Sequence, residues 1–176
     1  MRAPPLRAKA TRPGARPASA DATVTLDVVI EVPRGSFLKR GSTGRLDFVS
    51  PFPCPFNYGS VPAYLGLEGD LLDAVVLGPR LRRGTRVSAP ARAAIRFEDR
   101  GLYDYKLICA RAEMTRGQRT QVLLFFRFYA LCKRLLNGFR GHGGRTACHG
   151  WCSAAEAIER ASPREEGPWP EPGIPF

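Results

Sequence analysis

Three carboxylates fall within six residues in the stretch E-G-D-L-L-D, as Glu68, Asp70 and Asp73. Gly69 permits a tight loop there, and the three-residue spacing of Asp70 and Asp73 lets one turn point both inward. Like charges held so close are costly unless cations neutralise them. All-oxygen ligands suit magnesium or manganese, and a magnesium site commonly keeps waters and shares substrate phosphate. Read alone, the stretch also fits a solvated acidic turn. A second acidic stretch, E-D-R-G-L-Y-D-Y-K, holds Glu98, Asp99 and Asp104 just ahead of Lys106. Two apart at the start of a strand, Asp104 and Lys106 share a face. A lysine beside metal-binding carboxylates makes chemical sense with a phosphate between them. Alone, this stretch also fits a charged hairpin tip.

These residues need a scaffold, and hydrophobic periodicity outlines one. Residues 24–32 alternate as a strand, with Val24, Leu26, Val28 and Ile30 on one face, and Pro33 stops it. Residues 45–49 predict a second strand after the turn G-S-T-G. Residues 51–59, P-F-P-C-P-F-N-Y-G, are expected to lie outside regular structure, because three prolines interrupt them. Residues 74–78, 85–97 and 105–113 predict three further strands, the last two joined by a polar loop over 98–104. A helix is predicted from about Thr115 to Asn137, opened by a capping box of Thr115 and Gln118 and stopped by Gly138. Its apolar face holds Val122, Phe125, Phe126, Tyr129, Cys132 and Leu136. After a glycine-rich loop at 141–144, Ser153 and Glu156 form a second capping box for a short helix ending near Ala161. Strands followed by helices predict an α+β fold, a small β-barrel with helices packed outside.

The chain has 176 residues, 44% of them apolar, which suits one packed domain. Its longest apolar stretches are too short to span a bilayer, and no charged and then apolar leader pattern opens it. A cytoplasmic location is therefore expected. Five cysteines at wide spacing do not form a disulfide framework; Cys148, His149 and Cys152 cluster, but no second C-x-x-C completes a zinc site. The net charge is +11, and residues 1–20 contribute five basic residues and no acid. That segment reads as a disordered basic tail over 1–22, the domain as 23–162, and 163–176 as a proline-rich tail. A positive field attracts polyanions such as pyrophosphate, polyphosphate or RNA without choosing among them.

Taken in order, Glu31-Val-Pro, Lys39, Asn-Tyr58-Gly, x-G-D-x-x-D, D-x-x-x-x-D-x-K, F-F-x-x-Tyr129 and G-W at 150–151 resemble the family I soluble inorganic pyrophosphatases. The resemblance covers about three quarters of the chain. It implies a five-stranded OB-type barrel with flanking C-terminal helices, and a site on it that binds up to four Mg2+ ions with pyrophosphate, Mn2+ being a possible substitute. It implies that Asp70 is the general base toward a metal-activated water and that Tyr58 lines the site and supports that water. Glu68, Asp73 and Asp104 would hold the activating metals. Asp99, with Asp104, would hold those that enter with substrate, and Glu31 would act through metal-bound waters. Lys39, Lys106 and Tyr129 would hold phosphate oxygens. Such proteins are commonly homo-oligomers.

The chain departs from the family pattern at several points. Glu68 replaces an aspartate, and Leu71 replaces a proline. Gly41 stands where a glutamate usually follows the first phosphate lysine. The segment between Gly44 and Tyr58 is shortened and lacks a clear counterpart of the family's phosphate-binding arginine, Arg40 and Arg45 being the nearest candidates. Ala130 replaces the lysine after Tyr129, and Lys133, one helical turn on, shares the Tyr129 face as a substitute phosphate ligand. Two other functions follow from these features: a homologue that binds pyrophosphate or polyphosphate without turnover, and an OB-type nucleic-acid module using Leu81-Arg82-Arg83. The second is disfavoured, because the aromatics fall in the proline loop and on the apolar helix face and not among basic groups. The arginines at 80, 82 and 83 read as a solvated turn.

Overall fold

A computed structural model describes residues 23–40, 46–49, 52–141 and 143–164. The 1–22 tail, the G-S-T-G turn with Arg45, and nearly all of the 163–176 tail lie outside the described residues. The elements run β1 (Thr25–Val32), β2 (Leu38–Arg40), β3 (Leu46–Val49), β4 (Asn57–Leu65), β5 (Leu71–Val76), β6 (Arg86–Asp99), β7 (Leu102–Cys109), α1 (Arg116–Phe139), β8 (Ala147–Cys152), α2 (Ala154–Glu159) and β9 (Ser162–Pro163). This is an α+β fold, as expected. Among the described residues, no helix is long and apolar enough to cross a membrane.

Five strands pair in a circuit. β1 is antiparallel to β4, β4 to β5, β7 to β6, and β6 to β1, while β5 and β7 run parallel. β6 is long because it serves three neighbours. Besides β7, residues 86–90 pair with β1 and residues 94–98 with β8. β2 and β3 form a separate hairpin, and β9 pairs with β4.

The period-two alternation of the strands makes two cores. Val28, Ile30, Val61, Ala74, Leu107 and Cys109 share one with Ala157 of α2. Tyr58, Val75, Ile95, Phe97 and Ile108 share the other with Val122, Phe126 and Ala130 of α1. α1 begins as its sequence requires. Thr115 Oγ1 accepts from Gln118 N at 3.2 Å, and Gln118 Oε1 accepts from Thr115 N at 2.9 Å. The buried face of α1 is rotated from the expected one. Val122, Phe126, Ala130 and Asn137 are buried, whereas Phe125, Tyr129, Cys132 and Leu136 are only half-buried. At α2, Ser153 Oγ accepts from Glu156 N at 3.0 Å. The Glu156 carboxylate instead accepts from Arg96 and, at 3.1 Å, from the Tyr105 hydroxyl, so the second capping box is only half formed.

Several strand boundaries differ from expectation. β4 begins at Asn57, inside the stretch expected to be irregular, because the interrupting prolines end at Pro55. Pro62 is then tolerated at a register shift between Val61 and Leu65. The buried Asn57 carboxamide fastens this start. It accepts from Arg34 N at 3.1 Å and Leu81 N at 2.9 Å, and donates to Val76 O at 3.3 Å and Pro79 O at 2.8 Å. β5 starts three residues before the expected 74, and β7 spans 102–109 in place of 105–113, so the predicted loop 98–104 shrinks to a turn at Arg100–Gly101. β8 gave no sequence signal, since A-C-H-G-W-C has no β-branched residue and contains a glycine. β2, too short for a periodic pattern, was not anticipated.

β1 and β4 touch at Gly59, where an added Cβ would lie 1.9 Å from the carbonyl oxygen of Val29. Gly59→Ala is expected to lower stability by about 3 kcal/mol through forced separation of the two strands. Urea denaturation followed by circular dichroism measures this.

Candidate active site

The parallel register sets Asp73 on β5 opposite Lys106 on β7, and the antiparallel register sets Ser60 on β4 opposite Asp73. Alternation then gives Asp104, Lys106 and Ile108 one face, shared with Val75, Phe97 and Tyr58. The apolar members of this face pack under α1. The polar members gather around the Lys106 ammonium, which is 1% exposed. That ammonium donates to the carboxylates of both Asp73 and Asp104. Asp73 also accepts from the Tyr58 hydroxyl.

Glu68 completes the cluster from the loop before β5. Gly69, at φ +88°, makes the backbone turn that a side chain would resist. Carboxylate oxygens of Glu68, Asp73 and Asp104 all lie within 4.8 Å of one another. Three carboxylates against one ammonium leave two negative charges when all are ionised, and a proton compensates in the absence of a cation. Burial, followed by the nearby Asp104 and Asp73, pushes the Glu68 carboxyl up to about 8 against the pull of Lys106. Burial alone would lower the Lys106 ammonium, but Asp104, Asp73 and Glu68 together outweigh it and hold it well above its ordinary value. Burial and the charge of Asp73 raise the Tyr58 phenol, which stays a neutral donor. A hard divalent cation fits this donor set: three oxygens at mutual reach, excess negative charge, and a proton held where a cation would serve.

The other candidates divide. Asp99 is buried beside the end of α1, outside the three-carboxylate group. Its Oδ2 accepts from Lys133 Nζ at 2.5 Å, and its Oδ1 accepts from Asn137 Nδ2 and Thr146 Oγ1, each at 3.1 Å. Burial opposes ionisation of Asp99, yet Lys133, Asn137 and Thr146 prevail and lower its carboxyl. Lys133 is thus paired with Asp99, whose Oδ2 also lies 3.9 Å from Arg100 Nε. Glu31 is buried and accepts from Ser60 Oγ at 2.8 Å. Tyr129 is half-buried, its ring 5.6 Å from that of Phe97. Asp70 stays exposed on the loop, apart from the three grouped carboxylates. Lys39 stands in β2 opposite Phe48.

Sequence reasoning missed Ser60, Asn137 and Thr146. Alternation from Tyr58 pointed to Ser60; nothing local marked the other two, which meet Asp99 from far along the chain. The zinc alternative fails on geometry. Cys148 packs against the α1-side core and Cys152 against the other, while His149 Nε2 lies 2.7 Å from Glu98 Oε2. The arginines at 80, 82 and 83 are exposed in the connection between β5 and β6, as expected.

Residues 28–130 match the family described as inorganic pyrophosphatase. The chain belongs to the inorganic pyrophosphatase family. Inorganic pyrophosphatase of Haemophilus influenzae is 33% identical over 105 residues, which are 55% of this chain and 59% of that protein. That of Gluconobacter oxydans is 31% identical over 105 residues, 55% of this chain and 61% of the relative. The chain therefore spans about three fifths of the length of these curated relatives. The crystal structure of the inorganic pyrophosphatase from Thermus thermophilus superposes with a TM-score of 0.64 at 27% identity, covering 83% of this chain and 92% of that one. The matched span of the family contains both acidic stretches, the Lys106 cluster and the first part of α1 through Ala130. Lys133, Asn137 and Thr146 lie beyond it.

Because Glu68 holds a proton up to about pH 8, a cation entering the cluster must displace it. Affinity for Mn2+ is expected to fall as pH drops below 8, approaching about tenfold per unit, and to level off above it. Glu68→Gln should bind Mn2+ more weakly at pH 9 and lose the slope between pH 6 and 8. Isothermal titration calorimetry across that range reads both effects.

Proposed function

We propose that this pyrophosphatase-family protein hydrolyses inorganic pyrophosphate to two phosphates with divalent cations, Mg2+ foremost and Mn2+ as a substitute. The observation that carries the reading is the convergence of Glu68, Asp73 and Asp104 on the buried Lys106 ammonium. Those carboxylates would hold cations, which when bound would supply a water of lowered pKa and neutralise phosphate charge. The exposed Asp70, on the same loop as Glu68, serves as the base toward that water. In the reaction, the water oxygen would bond to one phosphorus while the bridging P–O bond breaks, its electron pair and the bridging oxygen leaving with the second phosphate, and the water proton would pass to Asp70. Tyr58, kept a neutral donor, supports this end of the site. Lys39, Lys106, Tyr129 and Lys133 stabilise phosphate oxygens. Asp99 and Asp104 would hold the cations that arrive with substrate, and Glu31, fixed by Ser60, would act through their waters.

The same proposal takes residues 23–162 as the pyrophosphatase domain and reads the closed circuit of β1, β4, β5, β7 and β6 as a five-stranded OB-type barrel. It places the protein in the cytoplasm, which suits five free thiols. It includes self-association. Leu124, Phe128, Leu131 and Leu135 form a half-exposed stripe along α1 at spacings of four, three and four, the pattern of a helix-to-helix seam. Arg127 and Arg134 flank that stripe, and α1 carries no acid, so added salt should strengthen the association. Leu131→Glu should shift the protein to the monomer in size-exclusion chromatography with light scattering.

Phosphate release from pyrophosphate, titrated with Mg2+ from none to excess, tests the central claim. Mg2+-dependent release is expected, and Asp70→Asn should reduce kcat by about a hundredfold or more with the fold intact. Full activity in Asp70→Asn removes Asp70 from its role. Absence of release from folded wild type, with either metal, favours the non-catalytic binder and turns attention to Gly41, Ala130 and the missing arginine.

A further inference from the structure

Tyr129, Lys133 and Asn137 are spaced four apart on α1 and line one ridge of the helix. The lower two meet Asp99 from β6 and Thr146, which precedes β8. The two oxygens of Asp99 receive different kinds of partner. Oδ1 accepts from the neutral Asn137 Nδ2 and Thr146 Oγ1, each at 3.1 Å, and these two also bond to each other at 3.1 Å. Thr146 Oγ1 is further tied to Arg100 N at 3.4 Å. Asp99, Asn137 and Thr146 are all buried. Oδ2 instead meets two cations: Lys133 Nζ at 2.5 Å, on a four-carbon stem whose side chain keeps 24% exposure, and more distantly Arg100 Nε at 3.9 Å, on an exposed side chain. One oxygen is therefore clamped by short side chains on fixed elements, and the other by charges on long side chains with room to leave, Lys133 being the nearer.

We propose that Lys133 is a displaceable counter-ion of Asp99, leaving Oδ2 for a phosphate oxygen when a divalent cation takes the carboxylate, while Asn137 and Thr146 act as positioning residues that hold Oδ1. This inference rests on the pyrophosphatase reading of the site. An ammonium and a divalent cation on one oxygen repel, so one excludes the other. The lysine stem is flexible enough to swing, whereas the Asn137–Thr146 pair keeps the carboxylate aimed. The consequence is thermodynamic. A phosphate that captures the Lys133 ammonium removes the nearer of the two competing cations from Asp99, so anion and cation binding strengthen each other reciprocally. The family's usual lysine after Tyr129 is Ala130 here, so the device belongs to this chain's own helix end.

The test uses the full chain, Mn2+ and inorganic phosphate, with free Mn2+ read by electron paramagnetic resonance. Asp99→Asn identifies the class of Mn2+ that depends on Asp99, and the remainder belongs to the Glu68, Asp73 and Asp104 group. In the wild type, phosphate should tighten the Asp99 class by about tenfold. Lys133→Met, confirmed folded by its melting curve, should bind that class several times more tightly without phosphate and retain less than about a twofold phosphate effect. Lys133→Gln provides the same reading if Lys133→Met does not fold, and Lys133→Arg should restore the phosphate effect. Asn137→Leu should weaken the Asp99 class and leave the other class unchanged.

A Lys133→Met protein with wild-type affinity and a wild-type phosphate effect overturns the counter-ion role. So does one whose Asp99 class weakens without phosphate, because the lysine is then only structural. An unchanged Asp99 class in Asn137→Leu overturns the positioning role. Failure of wild type to bind any Mn2+ at the Glu68, Asp73 and Asp104 group is a different result: it overturns the functional reading itself.

Discussion

A lysine ammonium buried to 1% exposure inside a β-sheet is the constraint around which this molecule is organised. Taken alone, such a charge would be driven to lose its proton. Asp104 from its own strand and Asp73 from the neighbouring strand keep it charged, and Tyr58 from the next strand braces Asp73. Removing one partner of a buried ionic cluster of this kind costs about 3–5 kcal/mol. The registers of β4, β5 and β7 are therefore tied to the chemistry. A slip of one residue would send Asp73 or Lys106 to the opposite face and leave the other charge unpaired.

The two faces of the strands do different work. On the α2 side, small and branched apolar residues such as Val28, Ala74 and Leu107 close the core, and Arg96, Tyr105 and Glu156 tie α2 to it. On the α1 side the same strands change character, from Val75, Phe97 and Ile108 under the helix to the ionic cluster. α1 follows that change. It buries Val122 and Phe126 against the apolar part, then presents Lys133 and Asn137 to Asp99. One helix thus seals a core and supplies polar groups to a site.

Electrostatics act on two scales. The chain as a whole carries +11, a field that attracts polyanions in general, while the Glu68, Asp73 and Asp104 group is a local sink of negative charge suited to hard cations. The carboxylate set survives, with Glu68 reaching the cluster on its longer side chain. Lys133, beyond the span matched to the family, is bonded to Asp99.

The grouped carboxylates and their lysine could be named from the sequence. Two acidic stretches, one ending in D-x-K, marked Glu68, Asp73, Asp104 and Lys106 as candidates that a solvated turn or a hairpin tip also fitted, their order along the chain resembled the pyrophosphatases, and the alternation rule put the last two on one face. The strands-then-helices order gave the α+β class, and the capping box of α1 could be read from Thr115 and Gln118, since a cap is a contact between near neighbours. Tertiary structure alone decided the rest. β4 starts inside a proline-rich stretch because Asn57 finds four backbone partners from distant segments. Asp70 stays out of the grouped carboxylates although it is closest in sequence to Glu68, because strand pairing orients Asp73 and leaves Asp70 on an exposed turn. Asn137 and Thr146 meet Asp99 from 38 and 47 residues away. Periodicity in the sequence reports which face a residue takes within its own element. Which faces meet depends on strand register and helix packing, and those are set by burial summed over the whole chain.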